Sequence, residues 1–231
     1  MDLLQQNSDS TIINCCTDLP PQSSHLIPRA YVRQRSGLHL DLLNPSAQGW
    51  TDEDLAIGLS RTYRWGGHST WPLPLSVAQH SITVVEIRKR LSNRPLTRSE
   101  MLRELLHDAD EALIGGFDPI SPLKPFLGAG YAQIVAKLQT AVFSRYGVTV
   151  WSAADLQPHK RADHLAAASE AVHVAGWSED EVLDLLNIGL KPLTRDPLAE
   201  LYGCTPWEPW PPAVAAERFL DQLKQLQTSR V

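Results

Sequence analysis

The sequence predicts an all-α fold, a compact helical bundle with one short β-hairpin near its start. Three observations carry this. Past residue 50, apolar residues recur at the helical spacing of about 3.6 nearly everywhere. Several of these runs are preceded by a Ser or Thr with an acid three residues later, the signature of a capped helix start. Strand-like alternation is confined to residues 30–42. At 231 residues, 43% of them hydrophobic, the chain can bury a core without staples. The expected organisation is a mobile polar arm over 1–27, a core over 28–190, and a Pro-rich connector with a C-terminal helix over 191–231, packed on that core.

In order along the chain, Ala30-Tyr31-Val32-Arg33 and Leu38-His39-Leu40-Asp41-Leu42 flank Ser36-Gly37, which predicts a hairpin that Asn44-Pro45 terminates. Thr51-Asp52-Glu53-Asp54 resembles a capping box leading into Leu55, Ile57 and Leu59. After a Trp-Gly-Gly-His loop, a helix is expected over 75–91, with Arg88, Lys89 and Arg90 placed to suit its C-terminal dipole. Thr97 and Glu100 open the next helix, expected to run through His107-Asp108. Residues 115–130, rich in Gly and Pro, read as an ordered loop. A helix over 130–146 should stop at Gly147. The next should begin near Pro158 and stop at Gly176. Ser178-Glu179-Asp180-Glu181 caps another. Prolines at 192, 197, 206, 209, 211 and 212 punctuate a connector before an amphipathic helix over 212–228, either a lid on the core or an interface for a homo-oligomer.

The formal net charge of -5 argues against broad nucleic-acid binding, which calls for a basic surface. It leaves room for an anionic small molecule in a local pocket. No apolar run approaches the roughly 18 residues of a membrane span, and the first ten residues lack the basic-then-apolar order of a secretory leader. Three cysteines, two of them adjacent at Cys15-Cys16 and the third at Cys204, make neither a disulfide framework nor a four-cysteine zinc site, so the expected setting is a reducing cytoplasm.

The residues with chemistry begin at His107-Asp108. Such a dipeptide is common by chance. Here His80 lies on the preceding helix, Glu111 follows His107 by four residues, and Asp163 lies on a later helix. Two imidazoles and two carboxylates from three helices offer a divalent transition ion a mixed nitrogen and oxygen shell. His159, four residues before Asp163, and His164 are competing local ligands. An ion held this way can polarise a phosphoryl oxygen and acidify a bound water.

This set resembles the HD-domain phosphohydrolases, whose metal ligands fall on three helices in the order His80, His107-Asp108, Asp163. Further matches narrow the resemblance. They are Ser36-Gly37, Asp41-Leu42-Leu43-Asn44-Pro45, Asp54-Leu55-Ala56, Arg64-Trp65-Gly66-Gly67-His68-Ser69, Ser76-Val77-Ala78-Gln79-His80-Ser81, His107-Asp108-Ala109-Asp110-Glu111-Ala112, Pro122-Leu123-Lys124, and Lys160-Arg161-Ala162-Asp163 with Glu170 following. Together they look like a phage and bacterial branch that includes dATP triphosphohydrolases and is similar to bacterial 5′-deoxynucleotidases. The resemblance covers residues 34–175.

It implies a divalent metal ion (Mn, Co, Zn, Fe, Ni or Mg) and a (deoxy)nucleotide substrate. The alternatives are a phosphodiesterase for cyclic or linear dinucleotides, or a non-catalytic nucleotide sensor. Glu111 is the expected general acid/base. Asp118 would share that work: related nucleotidases carry an acid just after a Gly here, whereas Gly115-Gly116-Phe117-Asp118 places it later, so either a longer loop restores its position or the role is missing. Arg64 and Lys124 are expected phosphate contacts, the first through a forked guanidinium and the second as a point charge. Trp65 is expected to pack on base or sugar. His68 and Lys160 are weaker candidates for phosphate contact.

Overall fold

The computed structural model describes residues 30–228, so the arm expected over 1–27 lies outside the described residues. The described chain is mostly helical with one small hairpin, as predicted. Strands β1 (Tyr31–Arg33) and β2 (His39–Asp41) pair antiparallel, with Val32 opposite Leu40. Gly37, at φ 94°, makes the turn. Helix α1 (Asp52–Arg61) begins at the expected capping box: Thr51 accepts from the Asp54 amide and Asp54 accepts from the Thr51 amide. The same Asp54 carboxylate takes the amide and hydroxyl of Ser36, at 2.9 and 2.5 Å. One acid thus starts α1 and docks the hairpin onto it.

Helix α2 (Val77–Leu91) is buried on nearly every side and packs against α1, α3 (Arg98–Leu105), α6 (Ala153–Glu170) and α9 (Pro212–Thr228). Helix α4 (Ala109–Leu113) lies beside α1, where a Cβ on Gly58 would sit 3.0 Å from the Cβ of Ala112. Helix α5 (Gly128–Tyr146) ends at left-handed Gly147, as predicted. A π-helical turn (Ala171–Ala175) extends α6 to left-handed Gly176. Short helices α7 (Glu179–Asp184) and α8 (Ala199–Tyr202) precede α9. Phe219 and Leu223 of α9 are fully buried with Leu55 and Leu59 of α1 in one core, so α9 is a lid on that core. Truncating Phe219 to Ala would cost about 3–5 kcal/mol.

Two expectations need correction. Helix α6 begins at Ala153, capped by Ser152, so Pro158 lies inside it, not at its start. A local cap, Ser152 accepting from the Asp155 amide, outweighs the single backbone bond that a proline removes. Nor does α3 run through His107-Asp108. It stops at Leu105, and the pair occupies the break before α4. The His107 imidazole Nδ1 lies 2.7 Å from the Glu104 carbonyl, the group an unbroken helix would give to the Asp108 amide.

Candidate metal centre and cavity

That break builds the site. Asp108 is the N-cap residue of α4, yet its carboxylate caps nothing and turns to the two histidines. Its Oδ2 lies 2.9 Å from His107 Nε2 and 3.6 Å from His80 Nε2. Asp163, on α6, places Oδ1 at 3.1 Å from His80 Nε2 and 3.9 Å from His107 Nε2. One donor atom each from His80, His107 and Asp163 lies within 4.8 Å of the others. The four residues expected to form a metal shell are therefore together, drawn from α2, the α3–α4 break and α6.

Both rings are oriented from behind. His80 Nδ1 lies 2.6 Å from Glu170 Oε1, and His107 Nδ1 faces the Glu104 carbonyl. An Nδ1–H donated in each case turns Nε2 toward the carboxylates. Both Nε2 atoms are buried, and each has a carboxylate oxygen close by, that of Asp163 for His80 and that of Asp108 for His107. Burial works against protonating His107, but Asp108 and then Asp163 more than offset it and push the ring up to about 9. Burial opposes ionisation of Asp108 and Asp163 as well, yet the histidines hold both well below the usual carboxylate range.

Above this floor lies a cavity of about 280 Å³. It is lined by Arg64, Trp65, Glu111, Asp118, Lys124 and the segment 119–122, together with His164, Ala167 and Leu186–Ile188. Glu111 is 2% exposed; its Oε1 lies 3.3 Å from Lys124 Nζ, while Oε2 is buried without a partner. Burial, then Asp108 and Asp118, push its carboxyl well above the ordinary value. The neighbouring Asp110 turns away and accepts from Gln139 of α5 at 3.2 Å. Arg64 donates through Nε to Glu170 Oε2 at 3.2 Å and through Nη1 to Asp118 Oδ2 at 3.3 Å. Asp118 thus lies at the cavity wall, paired with the arginine.

The loop that carries Arg64 is held at both ends. The Arg64 amide bonds the Leu75 carbonyl and the Val77 amide bonds the Thr62 carbonyl, both at 2.9 Å, which sets Arg64 near the start of α2. Trp65, Gly66 and Gly67 then run at φ 57°, 62° and 80°. The left-handed geometry costs nothing at the glycines, but at Trp65 it is local strain of the kind that clusters at working sites. Trp65 packs against Trp177, ring centroids 6.3 Å apart, and leaves its indole N–H buried and unpartnered. Further on, the amide and hydroxyl of Thr70 and the indole N–H of Trp71 bond the carbonyls of Val174 and His173 in the π turn. The approach is close: a Cβ on Gly176 would meet Thr70 Cγ2 at 2.7 Å.

The chain is 40% identical over 154 residues to an uncharacterized protein of Rhodobacter capsulatus, an alignment that takes in 66% of this chain and 77% of that protein. The chain belongs to that protein's family. No family model matches it. Among the described residues, no helix is long and apolar enough to cross a membrane.

Of the predicted site residues, Asp108, Asp163, Glu111, Asp118, Arg64, Trp65 and Lys124 line one cavity, and His80 and His107 lie against Asp108 and Asp163 beneath it. His68 and Lys160 are exposed and do not line it. His164 lines it from an exposed position, and His159 lies behind His107, with ring centroids 5.0 Å apart. Two glutamates had no assigned role. Glu170 follows Asp163 by seven residues, two helical turns, which is a face-sharing signal visible in the sequence. Glu104 acts on His107 through its backbone and on His159 through its carboxylate, and no sequence signal distinguishes it.

Proposed function

We propose that this protein is a metal-dependent phosphohydrolase of the HD-domain kind, acting on a small nucleotide, with deoxynucleotides favoured by the motif resemblance. One observation carries the reading. Two buried imidazole nitrogens converge on two carboxylates on the floor of a cavity whose wall holds Arg64 and Lys124. His80, His107 and Asp163 would hold the ion, with Asp108 against the same two rings, and this donor set suits a divalent transition metal. When bound, such an ion polarises a phosphoryl oxygen and acidifies water.

The chain's own residues supply the remainder. A phosphate oxygen can replace Asp118 on Arg64 Nη1, and Lys124 adds a second positive charge to the wall. Both stabilise the negative charge that develops during phosphoryl transfer. Burial and the neighbouring acids push the Glu111 carboxyl well above its ordinary value, which suits it to exchange a proton at Oε2 with a leaving oxygen or an attacking water. Trp65, Ile120, Leu186 and Ile188 offer apolar wall for a base or sugar. A cytoplasmic setting, read from the cysteines, accords with such a substrate.

The test is a panel of nucleoside mono- and triphosphates and cyclic and linear dinucleotides, assayed for released phosphate, pyrophosphate and triphosphate with Mn²⁺, Co²⁺ or Mg²⁺ added in turn. Release from a deoxynucleotide in the presence of one of these ions is the expected result. Protein of verified metal content that turns over nothing would remove the enzymatic reading, and preferential cleavage of dinucleotides would replace it with a phosphodiesterase.

A further inference from the structure

We infer that Glu170 is a positioning residue shared by two sites: its single carboxylate orients both the metal-facing ring of His80 and the phosphate-facing guanidinium of Arg64. The inference rests on the reading of His80 as a ligand and Arg64 as a phosphate contact, and adds that one group sets both.

Glu170 is 2% exposed and is the last residue of α6. Each of its oxygens has its own donor: Oε1 is 2.6 Å from His80 Nδ1, and Oε2 is 3.2 Å from Arg64 Nε. With Nδ1–H committed to Glu170, His80 has only Nε2 to offer the carboxylates of Asp108 and Asp163. With Nε committed, the guanidinium presents its Nη atoms to the cavity, where Nη1 meets Asp118. The π turn that starts one residue after Glu170 bonds Thr70 and Trp71, so the loop bearing Arg64 and the carboxylate that grips it are tied to the same stretch of chain.

The chemistry calls for a glutamate. A glutamine has one accepting end, and against two donors it would turn its NH₂ group toward one of them. An aspartate is one methylene shorter and would not span the two partners. The sequence places this acid two turns after Asp163, on the face of α6 that looks at α2.

The experiment uses the full chain and two variants, Glu170→Ala and Glu170→Gln, with folding checked by circular dichroism. Co²⁺ binding to metal-free protein and inorganic phosphate binding to Co²⁺-loaded protein are measured separately by calorimetry, and KM and kcat follow on whichever nucleotide the panel identifies. Glu170→Ala is expected to weaken Co²⁺ by about 10–100-fold and phosphate by about tenfold. In Glu170→Gln the carbonyl should keep the shorter contact to His80. Phosphate affinity then falls about tenfold while Co²⁺ affinity holds within about threefold, and KM rises more than kcat falls.

Wild-type phosphate affinity in folded Glu170→Gln overturns the inference, whether or not the alanine variant folds. So does wild-type Co²⁺ affinity in folded Glu170→Ala. If the unmodified protein binds neither Co²⁺ nor phosphate, the functional reading fails first and takes this one with it. If it binds both and the variants change neither, Glu170 alone has been misassigned.

Discussion

His80 and His159 each present Nδ1 to a buried glutamate, at 2.6 Å to Glu170 and 2.7 Å to Glu104. Each glutamate also lies beside an arginine Nε, that of Arg64 at 3.2 Å and that of Arg88 at 3.3 Å. The two carboxylate–histidine–arginine chains match to this point and then diverge. The far nitrogen of His80 is buried and faces Asp108 and Asp163. His159 instead stacks on Trp151 at 4.2 Å, and Arg103 lies over that same indole. Arg64 opens onto the cavity, whereas Arg88 is buried within α2. A carboxylate behind the ring orients both histidines alike. What the other nitrogen faces is where they differ, and only that of His80 faces a floor of acids.

The largest expected separation between them is in metal binding. His80→Ala should weaken Co²⁺ binding and turnover by more than about 10²-fold, while His159→Ala leaves both within about threefold. Equal losses in calorimetry and assay would erase the distinction. Glu111→Gln sharpens it from the other direction. It should lower kcat by about 10²–10⁴-fold with Co²⁺ stoichiometry unchanged, because Glu111 contacts Lys124 and none of the histidines. A loss of bound metal in that variant would put Glu111 in the wrong role.

His159→Phe tests the structural side. It keeps an aromatic ring beside Trp151 but removes the hydrogen bond to Glu104, and should cost about 1–3 kcal/mol in denaturant unfolding. An unchanged midpoint would mean that Arg88 alone satisfies Glu104. The smallest effect is expected at the start of α3, the helix that carries Glu104. Glu100 is held down to about 2 by its hydrogen bonds to Arg94, against burial and with help from Thr97. A carboxyl lowered from its ordinary value contributes stability that is present above about pH 4.5 and is lost as the pH falls toward 2. Glu100→Gln should therefore cost about 1 kcal/mol at pH 7 and less as the solution is acidified. Thermal unfolding of both proteins across that range checks it, and a gap that widens in acid would reverse the sign.

Much of the scaffold could be read locally. Thr51, Thr97 and Ser178 open α1, α3 and α7 where their capping boxes predict, and Gly147 and Gly176 close α5 and the π turn after α6, because each device involves residues only a few positions apart. The break at His107-Asp108 could not be read this way. The pattern favours a continuous helix, and a side-chain nitrogen competing for the Glu104 carbonyl leaves no periodic trace. Asp118 appeared misplaced by spacing alone, yet the loop carries it to Arg64, which lies 54 residues earlier.

The sequence by itself determined the helical class, most of the helix boundaries and the kinds of donor available: two imidazoles and two carboxylates with basic residues nearby. Those follow from propensity, capping and residue chemistry, all short-range. Only the tertiary structure decided which histidines turn a buried nitrogen toward acids, which acids pair with Arg64 and Lys124, and that one glutamate serves both His80 and Arg64. These outcomes depend on burial and on contacts such as that between His80 and Glu170, 90 residues apart, and the low dielectric that gives them their strength exists only once the helices have packed.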